Sequence, residues 1–170
     1  MPRKIVVALA GNANVGKSVI FNELTGLHQH VGNWPGKTVE RAEGTLFYGD
    51  KEIDVVDLPG IYSLSTYSIE ELVSREYIAV ERPDVIINVV DAGALERNLA
   101  FTVQLLELEP RMVVALNQVD VAESRGIIVN TSELSDALGV PVVPTVAVKG
   151  VGLTELMAQV VDAAERGRDA

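Results

Sequence analysis

The chain contains no cysteine, which excludes disulfides and thiolate metal sites and fits a reducing compartment. No apolar run approaches the ~18 residues that a membrane helix needs. Residues 1–4 lead straight into an apolar strand, without the pattern of a signal peptide. Basic residues are few and scattered: 14 Lys and Arg stand against 24 Asp and Glu, for a net charge of −10. That balance opposes nucleic-acid binding across the bulk of the surface. There is a single Trp, and neither an internal repeat nor a low-complexity segment. What is there is 170 residues, 48% of them hydrophobic, enough for one domain with a sizeable core. The polar tail 165–170 reads as the cut end of a longer chain.

Apolar periodicity and turn signals set the order of elements. Strands are expected at 5–10, 38–48, 51–56, 85–90, 111–116 and 140–145. Helices are expected at 17–26, 68–82, 95–109, 131–138 and 153–166. Gly49-Asp50 between two alternating runs signals a hairpin. Ser68 as N-cap, Glu70 and Glu71 in the first turn and Pro83 beyond the end bound the second helix. Apart from Asn88 the run 85–90 is apolar and β-branched, the mark of a parallel strand buried on both faces. Residues 27–37 hold Gly32, Asn33, Pro35 and Gly36 and are expected to form an irregular loop. Six strands, mostly parallel, with helices on both faces make a doubly wound α/β sheet.

Between the first strand and the first helix lies Gly11-Asn12-Ala13-Asn14-Val15-Gly16-Lys17-Ser18, which fits G-x-x-x-x-G-K-[ST] in full. Two glycines let the backbone curl so that successive N–H groups point into one concavity at a helix N-terminus. Lys17 is then placed for the β- and γ-phosphates, and the Ser18 hydroxyl for Mg²⁺. Ligands of open α/β sheets sit beyond the carboxyl ends of the strands. There the third strand delivers Asp57-Leu58-Pro59-Gly60: a carboxylate for Mg²⁺ through water and a glycine N–H for a γ-phosphate. The fifth delivers Asn117-Gln118-Val119-Asp120. A carboxylate accepting from N1 and the exocyclic amine of guanine rejects adenine, which lacks that donor pair. Taken singly, the first of these is also a common turn and the second an Asx turn with a helix cap. The last strand leads to Val146-Ala147-Val148-Lys149-Gly150, where a backbone N–H could meet guanine O6, a poor signal by itself.

Together these pieces resemble the translation-factor-related branch of small GTPases, and more narrowly the cytoplasmic G domain of the FeoB family of bacterial and archaeal ferrous iron transport proteins. Beyond the phosphate loop the resemblance rests on four segments. They are Val31-Gly32-Asn33-Trp34-Pro35-Gly36-Lys37-Thr38-Val39-Glu40, Asp57-Leu58-Pro59-Gly60-Ile61-Tyr62-Ser63-Leu64, Asn88-Val89-Val90-Asp91-Ala92 and Leu95-Glu96-Arg97-Asn98-Leu99. The resemblance covers essentially the whole chain and implies a P-loop small-GTPase fold over residues 1–170 as one G domain. It implies slow GTP hydrolysis that regulates or drives Fe²⁺ uptake through helical and membrane domains of a longer protein, at the cytoplasmic face of the inner membrane. A homo-oligomer is left open.

By position, the resemblance implies Lys17, Asn14, Thr38 and Gly60 as catalytic residues. It implies Mg²⁺ on Ser18, Thr38 and Asp57, and K⁺ on Asn14, where the cation takes the part an arginine finger plays elsewhere. In the alternative, Asn14 only caps the loop or bonds within the switch segment. The nucleotide-binding set begins with Gly11, Asn12, Ala13, Asn14, Val15, Gly16, Lys17, Ser18 and Val19. It continues with Gly36, Lys37 and Thr38, then Asp57 and Gly60, then Asn117, Gln118 and Asp120, and ends with Val146, Ala147 and Val148.

Three positions depart from common patterns. Ile61 stands where Ras-like enzymes carry a glutamine that orients the attacking water, and isoleucine neither donates nor accepts. Gln118 replaces the usual Lys or Met and is long enough to cover the base. Val146 replaces the Ser that usually precedes Ala147, and the lost hydroxyl is expected to loosen the guanine loop. Two other functions stay open: a ribosome- or RNA-associated GTPase, opposed by the acidic balance, and a GTP/GDP sensor with negligible turnover, kept open by Ile61. A P-loop kinase is opposed by the guanine motif. His28 and His30 share one side of an extended segment but lack the further ligands of a metal site. Trp34 reads either as a residue over the nucleotide edge or against a partner, or as an aromatic packed on its own domain. Glu70 and Glu71 read as charges at a helix N-terminus or as a relay of the switch state.

Overall fold

Seven strands form one sheet among the residues that a computed structural model of the chain describes, 3–65 and 67–169. Met1, Pro2 and Ala170, which belong to the expected opening and tail, lie outside the described residues. The strands are β1 Arg3–Gly11, β2 Gln29–Asn33, β3 Glu40–Tyr48, β4 Lys51–Asp57, β5 Val85–Asp91, β6 Met112–Asn117 and β7 Val142–Pro144. They lie side by side in the order β2-β3-β4-β1-β5-β6-β7. The pairs β2–β3 and β3–β4 are antiparallel, and the rest are parallel.

The extra strand corrects the expectation of six strands and of an irregular loop over 27–37. Gln29–Asn33 pairs with β3 from Gln29 opposite Gly44 to Asn33 opposite Glu40. The turn formers Pro35 and Gly36 serve only the hairpin turn, closed by the Trp34 N–H on the Val39 carbonyl at 2.9 Å. Every β2 side chain is exposed, so the strand is held by backbone bonds and carries no hydrophobic period for a sequence reading to find.

The helices are α1 Lys17–Thr25, α2 Ile69–Glu76, α3 Leu95–Glu107, α4 Val119–Ser124, α5 Thr131–Leu138 and α6 Leu153–Asp169. The helix expected over 68–82 changes character after Glu76 and runs on as a wide π turn, Tyr77–Glu81, stopped by Arg82 at φ 48. The short helix α4, which was not expected, starts directly after Gln118. The last strand is also shorter than the expected 140–145.

The period of two in β1 divides the core. Ile5, Val7 and Leu9 pack with Ile20 and Phe21 of α1 and Leu156 and Val160 of α6. Ala8 and Ala10 face the other way, with Phe101 and Leu105 of α3 and Tyr77 of the π turn. Because β1 lies between β4 and β5, the chain leaves it in opposite directions, and a crevice opens at the carboxyl ends of these strands.

Candidate nucleotide site

The loop after β1 turns through two left-handed residues, Asn14 at φ 64 and Gly16 at φ 89. A Cβ on Gly16 would collide with the Asn117 side-chain amide, so glycine is required there by both conformation and contact. Val15 is buried, whereas Ala13, Asn14 and Ser18 are exposed. Asn12 is buried and its Oδ1 has no hydrogen-bond partner.

Lys17, only 8% exposed, points its ammonium at the end of β4. It donates to the Asp57 carboxylate and, at 2.7 Å, to the Leu58 carbonyl. Burial pushes the Asp57 carboxyl above its ordinary range, and the Lys17 ammonium offsets part of that rise. The next segment docks on the loop through the Ile61 N–H, which donates to the Gly11 carbonyl at 3.2 Å. Gly60 lies against Ala13, 3.3 Å separating a built Cβ from the Ala13 Cα. Ile61 itself is 4% exposed and belongs to the core with Leu58 and Leu64, which accounts for an apolar residue at this position.

At the end of β6, Asn117 is a hub. Its Nδ2 donates to the Val15 carbonyl at 3.0 Å, and its Oδ1 accepts from Thr145 Oγ1 at 3.0 Å and from the Ala147 N–H at 3.1 Å. Gln118 takes a left-handed conformation, φ 62, and starts α4. This puts Asp120 in the first turn, with Lys149 Nζ 3.6 Å from its Oδ2. Val146 is buried and exchanges backbone bonds of 3.0 and 3.1 Å with Val151, while Val148 is exposed.

Segments 11–18, 57–61, 117–120 and 145–149 are thus brought together. Among the described residues, the hydrogen bonds that knit them do not reach Gly36, Lys37 or Thr38, which occupy the β2–β3 turn. Val19 is half-buried and packs against the core on the α1 side. Trp34 is packed on its own domain: its ring meets Tyr77 edge-on at 5.5 Å, and the Arg41 guanidinium lies 4.4 Å above it. His28 and His30 are exposed near the sheet edge. Ser68 caps α2, accepting from the Glu71 N–H at 3.1 Å. Glu70 and Glu71 lie in the first turn of α2, and the Glu71 carboxylate also accepts from Ser63, at 3.0 Å, and from Ser65.

Sequence reasoning missed the Lys17–Asp57 pair, the Lys149 contact and buried Asn88 on β5. Only Asn88 left a signal, as the one polar residue in an apolar run.

The donor set suits Mg²⁺, a hard cation that takes oxygen ligands and keeps waters and substrate phosphates in its shell. Ser18 and Thr38 offer exposed hydroxyls and Asp57 a carboxylate. Among the described residues no group of three or more His, Cys, Asp or Glu could hold a metal ion. Exposed Asn14 supplies an amide oxygen of the kind a K⁺ ion takes.

A Walker-type loop, a carboxylate at the end of β4 and an Asn-x-x-Asp turn at the end of β6, all on one edge of this sheet, define a GTPase domain of the P-loop class. The chain belongs to the family described as ferrous iron transport protein B, whose model matches residues 5–160. It is 52% identical over 153 residues to the Fe²⁺ transport protein A/Fe²⁺ transporter FeoB fusion protein of Porphyromonas gingivalis, covering 89% of this chain and 18% of that one. The G domain of the T. maritima FeoB iron transporter superposes with a TM-score of 0.90 at 41% identity, covering 95% of this chain and 99% of that one. The cytosolic domain of the same transporter in its GDP form I gives 0.92 at 41% identity, over 96% of this chain and 64% of that one. The chain spans about a fifth of the length of the curated relatives it matches. Among the described residues no helix is long and apolar enough to cross a membrane.

Proposed function

We propose that the domain binds GTP and GDP and acts as a switch. As the G domain of a longer protein it controls Fe²⁺ uptake through helical and membrane domains at the cytoplasmic face of the membrane. The observation that carries the nucleotide reading is Asn117, one buried side chain joined both to the phosphate loop and to the turn of Ala147. Asn117 thereby joins the segment proposed for the phosphates to the one proposed for the base. Family membership and the T. maritima form with GDP support the iron and guanine assignments.

When GTP binds, Lys17 exchanges the Asp57 carboxylate and Leu58 carbonyl for the β- and γ-phosphates. Asp57, once released, would hold Mg²⁺ together with the Ser18 and Thr38 hydroxyls, and the ion would supply neutralising positive charge there. The Gly60 N–H meets the γ-phosphate, and water attacks the γ-phosphorus in line as GDP leaves. Asp120 accepts from guanine N1 and its exocyclic amine, and Gln118 covers the base. Ile61 is committed to the core, so no side chain at that position orients the water and intrinsic turnover is slow. The Asn14 amide oxygen would hold K⁺, and the cation would supply positive charge where the transition state develops negative charge.

Single-turnover phosphate release in KCl and in NaCl tests this reading. Stimulation by K⁺ that disappears in Asn14→Ala is expected. Buried Ile61 favours a second reading, a sensor with negligible turnover, and release at background in both salts would establish that one instead. For the transport assignment, Lys17→Ala in the full-length protein is expected to abolish Fe²⁺ uptake by cells; uptake at the wild-type rate defeats it.

A further inference from the structure

The β5 run is interrupted by one buried amide. Asn88 is 1% exposed and shares the α3-facing side of the sheet with Ile86 and Val90. A buried amide is costly unless its hydrogen bonds are made. Here Nδ2 donates to the Ala10 carbonyl at 3.3 Å, and Oδ1 accepts from Thr102 Oγ1 of α3 at 2.6 Å. Ala10 is the root of the phosphate loop, and the carbonyl of the next residue, Gly11, receives the Ile61 N–H. Two residues further along α3, Gln104 Oε1 accepts from the Leu64 N–H at 2.8 Å. Arg75 of α2 donates to the Leu64 carbonyl at 3.1 Å.

One helix therefore holds both halves of the phosphate site: the loop root through Thr102 and Asn88, and the segment beyond Gly60 through Gln104. We propose that α3 sets the placement of the phosphate loop against residues 60–64, with Asn88, Thr102 and Gln104 as positioning residues for GTP hydrolysis. The proposal rests on the GTPase reading above and deepens it. The γ-phosphate must meet loop and Gly60 N–H groups together, and a misplacement of about 1 Å costs as much as ~100-fold in rate. Since Ile61 serves the core, the backbone at 60–61 has to be placed by its neighbours. Hydrogen bonds suit this task because they specify direction, whereas apolar contacts permit sliding. A valine at 88 would fill the strand and a valine at 102 the helix, so packing alone does not account for the polar pair.

The test measures thermal midpoint, GDP affinity and single-turnover hydrolysis for three variants of the domain. Asn88→Val/Thr102→Val removes both partners together, so neither is stranded in the core, a change that is often nearly neutral for stability. Gln104→Leu removes the Leu64 acceptor, and Gln104→Glu keeps one. The double variant and Gln104→Leu are expected to hold their midpoint and bind GDP within about threefold of wild type, yet to hydrolyse GTP at least about tenfold more slowly. Gln104→Glu is expected to restore most of the rate. Hydrolysis at the wild-type rate in the double variant and in Gln104→Leu overturns the proposal, as does a rate loss that only follows loss of midpoint. If the double variant does not fold, the Leu and Glu variants at 104 decide by the same criteria. Absence of turnover in the wild type itself overturns the GTPase reading and this proposal with it.

Discussion

The Asn117 amide donates to the Val15 carbonyl at 3.0 Å and so ties the end of β6 to a loop 102 residues earlier. The oxygen of the same side chain accepts from Thr145 and from the Ala147 N–H. Asn117→Ala strands buried groups that each cost roughly 1–3 kcal/mol when unsatisfied. Urea unfolding is expected to register a loss of about 2–4 kcal/mol, with GDP affinity falling alongside. A variant as stable as wild type would remove the bridging role.

Lys17 has a structural partner as well as the catalytic task proposed for it. With Lys17→Ala, the Asp57 carboxylate, its side chain 15% exposed, loses the ammonium that offsets its burial. Nucleotide-free protein is expected to lose about 1–3 kcal/mol of unfolding free energy. Adding Asp57→Asn removes the stranded charge and is expected to recover part of it. A double variant no more stable than Lys17→Ala would show that the ion pair is not the source of the loss.

Burial pushes the Tyr77 phenol up to about 12, from a model-peptide value of 10.0, with the Arg41 guanidinium opposing that rise. A raised folded-state value favours the neutral phenol in the folded protein. The stabilisation is therefore complete below pH 10 and is lost as pH climbs from about 10 to about 12. Trp34, the single tryptophan, packs on this ring, so its emission reports the change. Over that window the stability measured in urea is expected to drop in wild type and to drop less in Tyr77→Phe. Identical alkaline profiles would overturn the assignment.

Asp120 is held 3.6 Å from Lys149 in the first turn of α4. Asp120→Asn replaces an acceptor pair by one donor and one acceptor, which matches xanthine in place of guanine. GTP affinity is expected to fall by about 100-fold or more, with xanthosine triphosphate preferred in competition binding. Unchanged GTP affinity would defeat the guanine role.

The phosphate loop was legible because its spacing is a backbone requirement: Gly16 must be left-handed, and Lys17 must open the helix. The parallel strands were legible because β5 and β6 are buried on both faces and read as apolar runs. Asn88 was visible as one amide in such a run, but its partners Ala10 and Thr102 were not, since neither is near it in sequence. Strand β2 left no pattern because it is exposed throughout. The turn residues at 35 and 36 spread their irregular signature over a segment whose residues Gln29–Asn33 are strand. Glu71 sits where a capping charge belongs, yet its partners Ser63 and Ser65 lie in the loop before the helix.

The sequence by itself determined which residues stand at the carboxyl ends of the strands, because loop spacing, alternation and helix caps act within a few residues of one another. Only the tertiary structure decided what those residues touch. The Lys17–Asp57 pair, the Asn117–Val15 bond, the packing of Trp34 on Tyr77 and the grip of α3 on Ala10 and Leu64 join residues that folding brings together from distant parts of the chain. Their partners are chosen by sheet order and by the division of the core into two faces, and neither is written in any local run of residues.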